Sequence, residues 1–447
     1  MSNEIFEYTL LGLIGIVLAL VVLRQPYLGL VFTIATLPVI DLLPQIPIFS
    51  SVVPLIGLVT LGGYLFQTKR SQKIRTNKFD LINLFGLLYI FWTVVSNPNA
   101  ALTTGDRNWL FTLVQLWILM ALTGELLEDP KRQKMTILIF AIASMVSALF
   151  AILEGDIAED ALDSARVAGL ATNANQAARY FVIALVFFYY LRTKTNSPLT
   201  KLLYLVGIFV TFMGVFFTVS RSGMLLLFGA FGLILIFQPQ VKNKVGSIVL
   251  LIAGLIVLSF FSDSIFKIIS DIFPAIQEGT DTVGLRYNLW RAGWRMWLDH
   301  PFQGVGIGMY NSNLWRYMQG LIGPTRGSAS SHNTYVQVLS ETGIVGFTFF
   351  MAMLINAFKN LWPSPSRAVD DNEDLRNTWF IILLIISVGG ITITDLANKI
   401  LWMVLGISVV FSKQKTIEAV NRVPESVKPL NTSPTTIRLR RWMKNVK

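Results

Sequence analysis

The chain has 447 residues, a formal net charge of +11, 53% hydrophobic and only 14% charged side chains, two histidines and no cysteine. Its mean hydropathy of +0.58 reflects more apolar surface than a soluble core can hide, which implies a polytopic membrane protein. The lack of cysteine excludes thiolate catalysis, cysteine-ligated metal and disulfides. Two histidines without an HExxH pattern leave little for a transition-metal site.

Apolar runs lie near 8–23, 27–43, 51–66, 79–95, 109–124, 135–153, 177–191, 202–219, 222–238, 245–262, 332–358, 378–395 and 399–412. They predict an all-α fold of 12–13 transmembrane helices. The first run follows the acidic flank "MSNEIFEYT" and has no convincing small-residue cleavage site, so it reads as a retained span. The prolines of "DLLPQIPIF" leave the early pair open, as half-helices or as tilted spans.

Charge sets the expected orientation. "QTKRSQKIRTNK" carries five basic residues and no acid, "PKRQK" three, "RTKTNSPLTK" three, "VKNK" two, and the tail after Ser412 nine. The positive-inside rule places these connections in the cytoplasm, where they face anionic membrane lipid, and no nucleic-acid partner is needed to explain the charge. The chain then divides into N-terminal spans (1–158), central spans with outer polar motifs (159–262), an outer loop (263–331), C-terminal spans (332–412) and a basic tail (413–447) that reads as a membrane-surface segment.

The opposite face collects arginine, at 107, 166, 179, 221, 286, 291, 295, 316 and 326, against two lysines. Arginine is the better residue for forked recognition of phosphate oxygens. In "RVAGLATNANQAARYF", Arg166, Asn173 and Asn175 precede a span; the asparagines can cap a helix or offer hydrogen bonds to sugar hydroxyls. In "VSRSGM", Arg221 sits in a tight turn, where it can snorkel to headgroups or bind an anion. The stretch "GLRYNLWRAGWRMWLDHP" places Arg286, Trp290, Gly293 and Trp297 at helical spacing, so an amphipathic helix is predicted over about Leu285–Leu298, with His300 at its C-terminal dipole and Arg291 and Arg295 on a second stripe. Such a helix could also lie on the bilayer with its arginines at lipid phosphate. His332 and Asn333 open the next span. Glu341, about 13 Å along it by helical rise, is expected to pair with a polar group of a neighbouring helix. Asp395 stands at the outer mouth of a later span, where an acid needs a histidine or arginine partner.

Taken in order, "RVAGLATNANQAA", "SRSG", "RYNLWRAGWRMWLDHPFQGVGIGMYN" and "HNTYVQVLSETGIVG" resemble the O-antigen ligase and polymerase superfamily of bacterial membrane glycosyltransferases, over roughly residues 160–400. The resemblance implies an active centre of His332, Arg221, Arg286 and Asp395 facing the periplasm from the inner membrane. It also implies a polyprenyl (undecaprenyl) pyrophosphate-linked glycan as donor, and a lipid A core or a second glycan as acceptor, as in lipopolysaccharide biosynthesis. Arg166, Asn173, Asn175, Arg291 and Asn333 are the expected substrate-binding residues. In that reading the arginines meet the charge on the leaving pyrophosphate without cofactor or metal, His332 takes the acceptor proton, and Asp395 orients the imidazole. With no evident nucleophile for a double displacement, direct attack would invert the anomeric centre. A polymerase of the same superfamily differs only in its acceptor. A transporter, the rival from another class, would gather its ionisable residues near the bilayer midplane rather than at one face.

Overall fold

A computed structural model describes residues 15–43, 53–70, 80–102, 108–154, 167–171, 173–238, 282–321, 330–363 and 371–422. The expected span at 245–262, Arg166, Arg326 and the tail beyond Arg422 lie outside the described residues.

Among the described residues helices are the only regular structure, with no strand. The order is α1 (Gly15–Arg24), α2 (Pro26–Ala35), a 3-10 turn (Leu37–Leu42), α3 (Val53–Arg70), α4 (Leu81–Ser96), α5 (Pro98–Leu102), α6 (Trp109–Leu126), α7 (Pro130–Glu154), α8 (Ala174–Thr193), α9 (Pro198–Phe217), α10 (Arg221–Phe237), α11 (Thr282–Asp299), α12 (Tyr310–Tyr317), α13 (Thr334–Leu361), α14 (Asp371–Gly389) and α15 (Lys399–Arg422). The protein is an all-α polytopic membrane protein. By length and composition α6, α7, α9 and α13 can each cross a membrane, and α1, α2, α3, α4 and α10 are shorter apolar helices.

The expected run at 27–43 is broken. Pro26 starts α2, the helix stops after ten residues, and Val39 leaves helical geometry within the 3-10 turn that follows. Ten residues rise only ~15 Å, about half of a hydrocarbon core. At the other end of the chain α15 runs to Arg422, past the expected boundary at 412.

The centre of the bundle is α8. Tyr180 through Phe188 are buried on every side, as expected for a helix that is apolar all round, and α7, α9, α10 and α14 pack around it. Aromatic edges lock this centre: Phe140 meets Tyr180 and Phe187, each at 5.8 Å between ring centroids, and Phe187 meets Trp379 at 5.3 Å.

The predicted amphipathic helix is α11, and it does more than lie on a bilayer. Leu289, Ala292 and Met296 are buried against Tyr310, Leu314, Tyr317 and Met318 of the α12 region, while Gly293 lies close against Val336 of α13. Arg295, on its second stripe, donates to the carbonyls of Tyr317 and Gln319, both at 2.9 Å.

The turn after α11 docks into a break in α13. Gly343 has φ +66, which interrupts the helix. The carbonyls this exposes are taken up from outside: Ser340 accepts from Val305 N–H and Glu341 from Gly306 N–H, each at 2.9 Å, and Thr342 accepts from the Trp92 indole at 2.9 Å. In return Ile344 N–H donates to Pro301 O at 2.8 Å. The glycine-rich "GVGIG" segment is therefore a plug that satisfies backbone groups that would otherwise be stranded in an apolar bundle. A side chain at 343 would adopt a left-handed conformation and push into the Phe302 carbonyl. Gly343→Ala is accordingly expected to lower stability by about 1–3 kcal/mol, read as a reduced unfolding temperature in detergent; an unchanged transition would show that the break tolerates a Cβ.

Candidate active site

Three helix starts meet at one end of the bundle, each capped by a short polar side chain. Asn173 caps α8 by accepting from Gln176 N–H at 2.8 Å. Ser220 caps α10 by accepting from Gly223 N–H at 3.1 Å. Asn333 caps α13 by accepting from Tyr335 and Val336 N–H at 2.9 and 3.1 Å. Each start contributes the positive end of a helix dipole.

Side-chain bonds join these starts. Ser220 Oγ donates to Asn175 Oδ1 at 2.7 Å, tying α10 to α8, and Gly223 sits where any larger residue would overlap Ala178 of α8. One turn along α8, Arg179 reaches the 390–398 loop and holds the Asp395 carboxylate with both terminal nitrogens, Nη2 to Oδ1 at 2.8 Å and Nη1 to Oδ2. Asn398 Nδ2 adds a bond to Oδ1 at 3.1 Å. The pair is nearly solvent-free, 0% and 4% exposed. Asp395 N–H donates to Thr334 Oγ1 at 2.8 Å and Thr334 N–H donates to Gly390 O at 2.7 Å, so the loop is sewn to the first residue of α13.

His332 lies two residues before that stitch, half-buried. Its φ is +48, a conformation shared among the described non-glycine residues only with Val219, two positions before Arg221. Such residues cost roughly 1–2 kcal/mol each and persist where surrounding contacts over-determine them, commonly at functional sites. The Trp290 indole donates to Ser331 O at 2.9 Å, anchoring α11 one residue from His332. Arg286 is one turn earlier on the same face of α11. Burial, and then the charge of Arg286, hold the His332 imidazole below its ordinary pKa. A histidine in this setting is neutral near pH 7 and able to accept a proton.

The expected residues thus fall into separate groups. His332 and Arg286 are electrostatic neighbours. Arg221 is exposed at the first position of α10, linked to the centre through Ser220, Asn175, Arg179 and Asp395. Of the two partners expected for Asp395, a histidine or an arginine, the structure supplies an arginine: both carboxylate oxygens go to Arg179, and the role in orienting His332 that the resemblance implies for Asp395 has no direct bond behind it. Of the expected sugar-binding residues, Asn173 and Asn333 spend their carbonyl oxygens on caps and Asn175 its own on Ser220. Arg291 is exposed and stacks on Tyr287 at 5.9 Å. Glu341 accepts from Tyr310 N–H, at the start of the neighbouring α12, at 3.2 Å, and from Gln337 Nε2 of its own helix at 3.0 Å. Spacing could have flagged Gln337, which is polar, four residues before Glu341 and on the same face of an apolar span. Among the described residues no cluster of three or more metal-ligating side chains occurs.

The O-antigen ligase family model matches residues 206–351, about a third of the chain, from within α9 to the middle of α13. That interval holds Arg221, Arg286, Arg291, His332, Asn333 and the glycine plug; Asn173, Asn175, Arg179 and Asp395 lie outside it. No curated protein matches the chain. The matched segment, carrying both the left-handed histidine and its arginine neighbour within an all-helical membrane bundle, is similar to the O-antigen ligase family.

Proposed function

We propose that the protein is a glycosyltransferase that moves a glycan from a polyprenyl pyrophosphate carrier to an acceptor hydroxyl, a lipid A core sugar, at the periplasmic face of the bacterial inner membrane. The observation that carries this reading is the His332 turn: a strained backbone presents an imidazole of lowered proton affinity next to Arg286. The basic connections assigned to the cytoplasm support the orientation.

The chemistry follows from charge. A ring nitrogen of His332 takes the proton of the acceptor hydroxyl while that oxygen forms its bond to the anomeric carbon. The carbon–oxygen bond to the carrier breaks, and the electron pair leaves on polyprenyl pyrophosphate. Arg221 and Arg286 meet the growing negative charge with fixed donors, supported by the helix dipole at the start of α10. One displacement inverts the anomeric centre, and charge neutralisation by arginine makes the step metal-independent. Asp395 acts at one remove, by holding Arg179 and the loop that fixes the start of α13.

Reconstituted transfer from a lipid-linked glycan tests the proposal. Arg221→Lys and Arg286→Lys keep charge but lose the fork, so transfer should fall strongly in both with normal membrane insertion; wild-type rates in both would reduce the arginines to headgroup anchors. Excess chelator should leave the rate unchanged, whereas a loss restored by Mg or Mn would contradict the metal-free step.

The pH profile supplies a signed test. With the imidazole pKa lowered, the acid limb should lie below the ordinary histidine value, and Arg286→Gln, by removing a repelling charge, should move it to higher pH. A limb that stays in place in that variant would detach Arg286 from His332.

The Arg179–Asp395 pair is expected to behave as a unit. Asp395→Leu or Arg179→Met alone strands a buried charge and should cost about 3–5 kcal/mol, while the double variant should recover much of that loss. Additive losses in thermal unfolding would show the two residues act independently.

A further inference from the structure

We propose that Gln337 is a positioning residue that holds the His332 turn in its left-handed conformation through Ser331 and links that turn to the glycine plug through Glu341. The inference rests on the reading of His332 as the proton acceptor, and extends it to how the imidazole is held.

A histidine at φ +48 needs bonds on both sides, and they converge on Ser331 and Gln337. Ser331 is fully buried. Its Oγ accepts from Asn333 N–H at 3.1 Å, and its hydrogen is shared between Asn333 O at 2.7 Å and Gln337 Oε1 at 3.2 Å, so one hydroxyl brackets His332. Gln337 Oε1 also accepts from Thr394 Oγ1 at 3.0 Å, in the loop that carries Asp395. Its Nε2 donates to Glu341 Oε1, which in turn accepts from Tyr310 N–H at the end of the plug. The other carboxylate oxygen of Glu341 is buried without a hydrogen-bond partner, so Gln337 and the plug supply all its side-chain hydrogen bonds.

The chemistry of this hub requires glutamine. Two hydroxyls must find an acceptor and one carboxylate must find a donor, at the end of one side chain in an apolar helix. A glutamate at 337 would set a second carboxyl against Glu341 in place of the amide donor, and a leucine would take from Thr394 its acceptor and from Glu341 its amide donor, leaving Tyr310 N–H. Gln337 is thus the point where the His332 turn, the Asp395 loop and the docked outer segment share bonds. Arg286 is the charge that acts on the His332 imidazole, and neither it nor Glu341 nor the Arg179–Asp395 pair is altered by the variants below.

The chain has two histidines, so nitrogen-labelled histidine in the full-length protein gives ring-nitrogen signals from two imidazoles, and His300→Gln assigns them. In Gln337→Leu the His332 signal should move toward that of a solvent-exposed histidine and its titration midpoint should rise toward the ordinary value. Single-turnover transfer should slow by up to about 100-fold, the scale of a misplaced reacting group, with donor binding retained. Ser331→Ala cuts a different edge of the same hub and should produce the same displacement, which keeps the test available should Gln337→Leu not fold. An unchanged His332 signal in the folded variant overturns the proposal, whatever the transfer rate. Should His332→Gln prove fully active, the base assignment fails by itself, and the displacement of the signal still decides the part played by Gln337.

Discussion

A carboxylate and a guanidinium enclosed in an apolar helical bundle must find each other, because neither can be left alone at tolerable cost. Arg179 of α8 and Asp395 of the loop before α15 meet this constraint with two bonds and almost no exposure. From that pair the geometry propagates in two directions. Through Thr334 it fixes the first residue of α13 and the approach to His332. Along the first turn of α8 it reaches Asn175, Ser220 and the start of α10, where Arg221 stands. Elements far apart in the chain are thereby held at one end of the bundle.

A second requirement shapes the other side of the histidine. Breaking α13 at Gly343 exposes backbone carbonyls that lipid cannot satisfy. The glycine plug and Trp92 take them up, and in doing so they seat α11, so that Trp290 grips Ser331 and the charge of Arg286 acts on the imidazole. The interrupted helix is what brings an otherwise peripheral amphipathic segment onto the histidine.

The helices were largely legible in the sequence because their signal is length and apolar composition: every predicted run within the described residues contains a helix, and α11 follows its four-residue spacing. The caps at Asn173 and Asn333 were legible for a similar local reason. The long-range choices were not. Asp395 called for a cationic partner, yet nothing in the chain distinguishes Arg179, 216 positions away, from the other arginines of that face or from His332. "SETGIVG" reads as uninterrupted helix, because glycine is tolerated inside transmembrane helices and only tertiary docking demands a positive φ there. The left-handed backbone at His332 carries no local signal either; it is imposed by Ser331, Gln337 and Trp290.

The account gives His332 one task, removal of the acceptor proton, and assigns the charge of the leaving pyrophosphate to arginines. The most direct test is the single-turnover transfer rate of His332→Gln, measured beside donor binding. Glutamine keeps a hydrogen-bonding side chain but cannot act as a base at neutral pH. The account predicts transfer slowed by roughly two to four orders of magnitude with donor binding intact; a variant that transfers at close to the wild-type rate would contradict it.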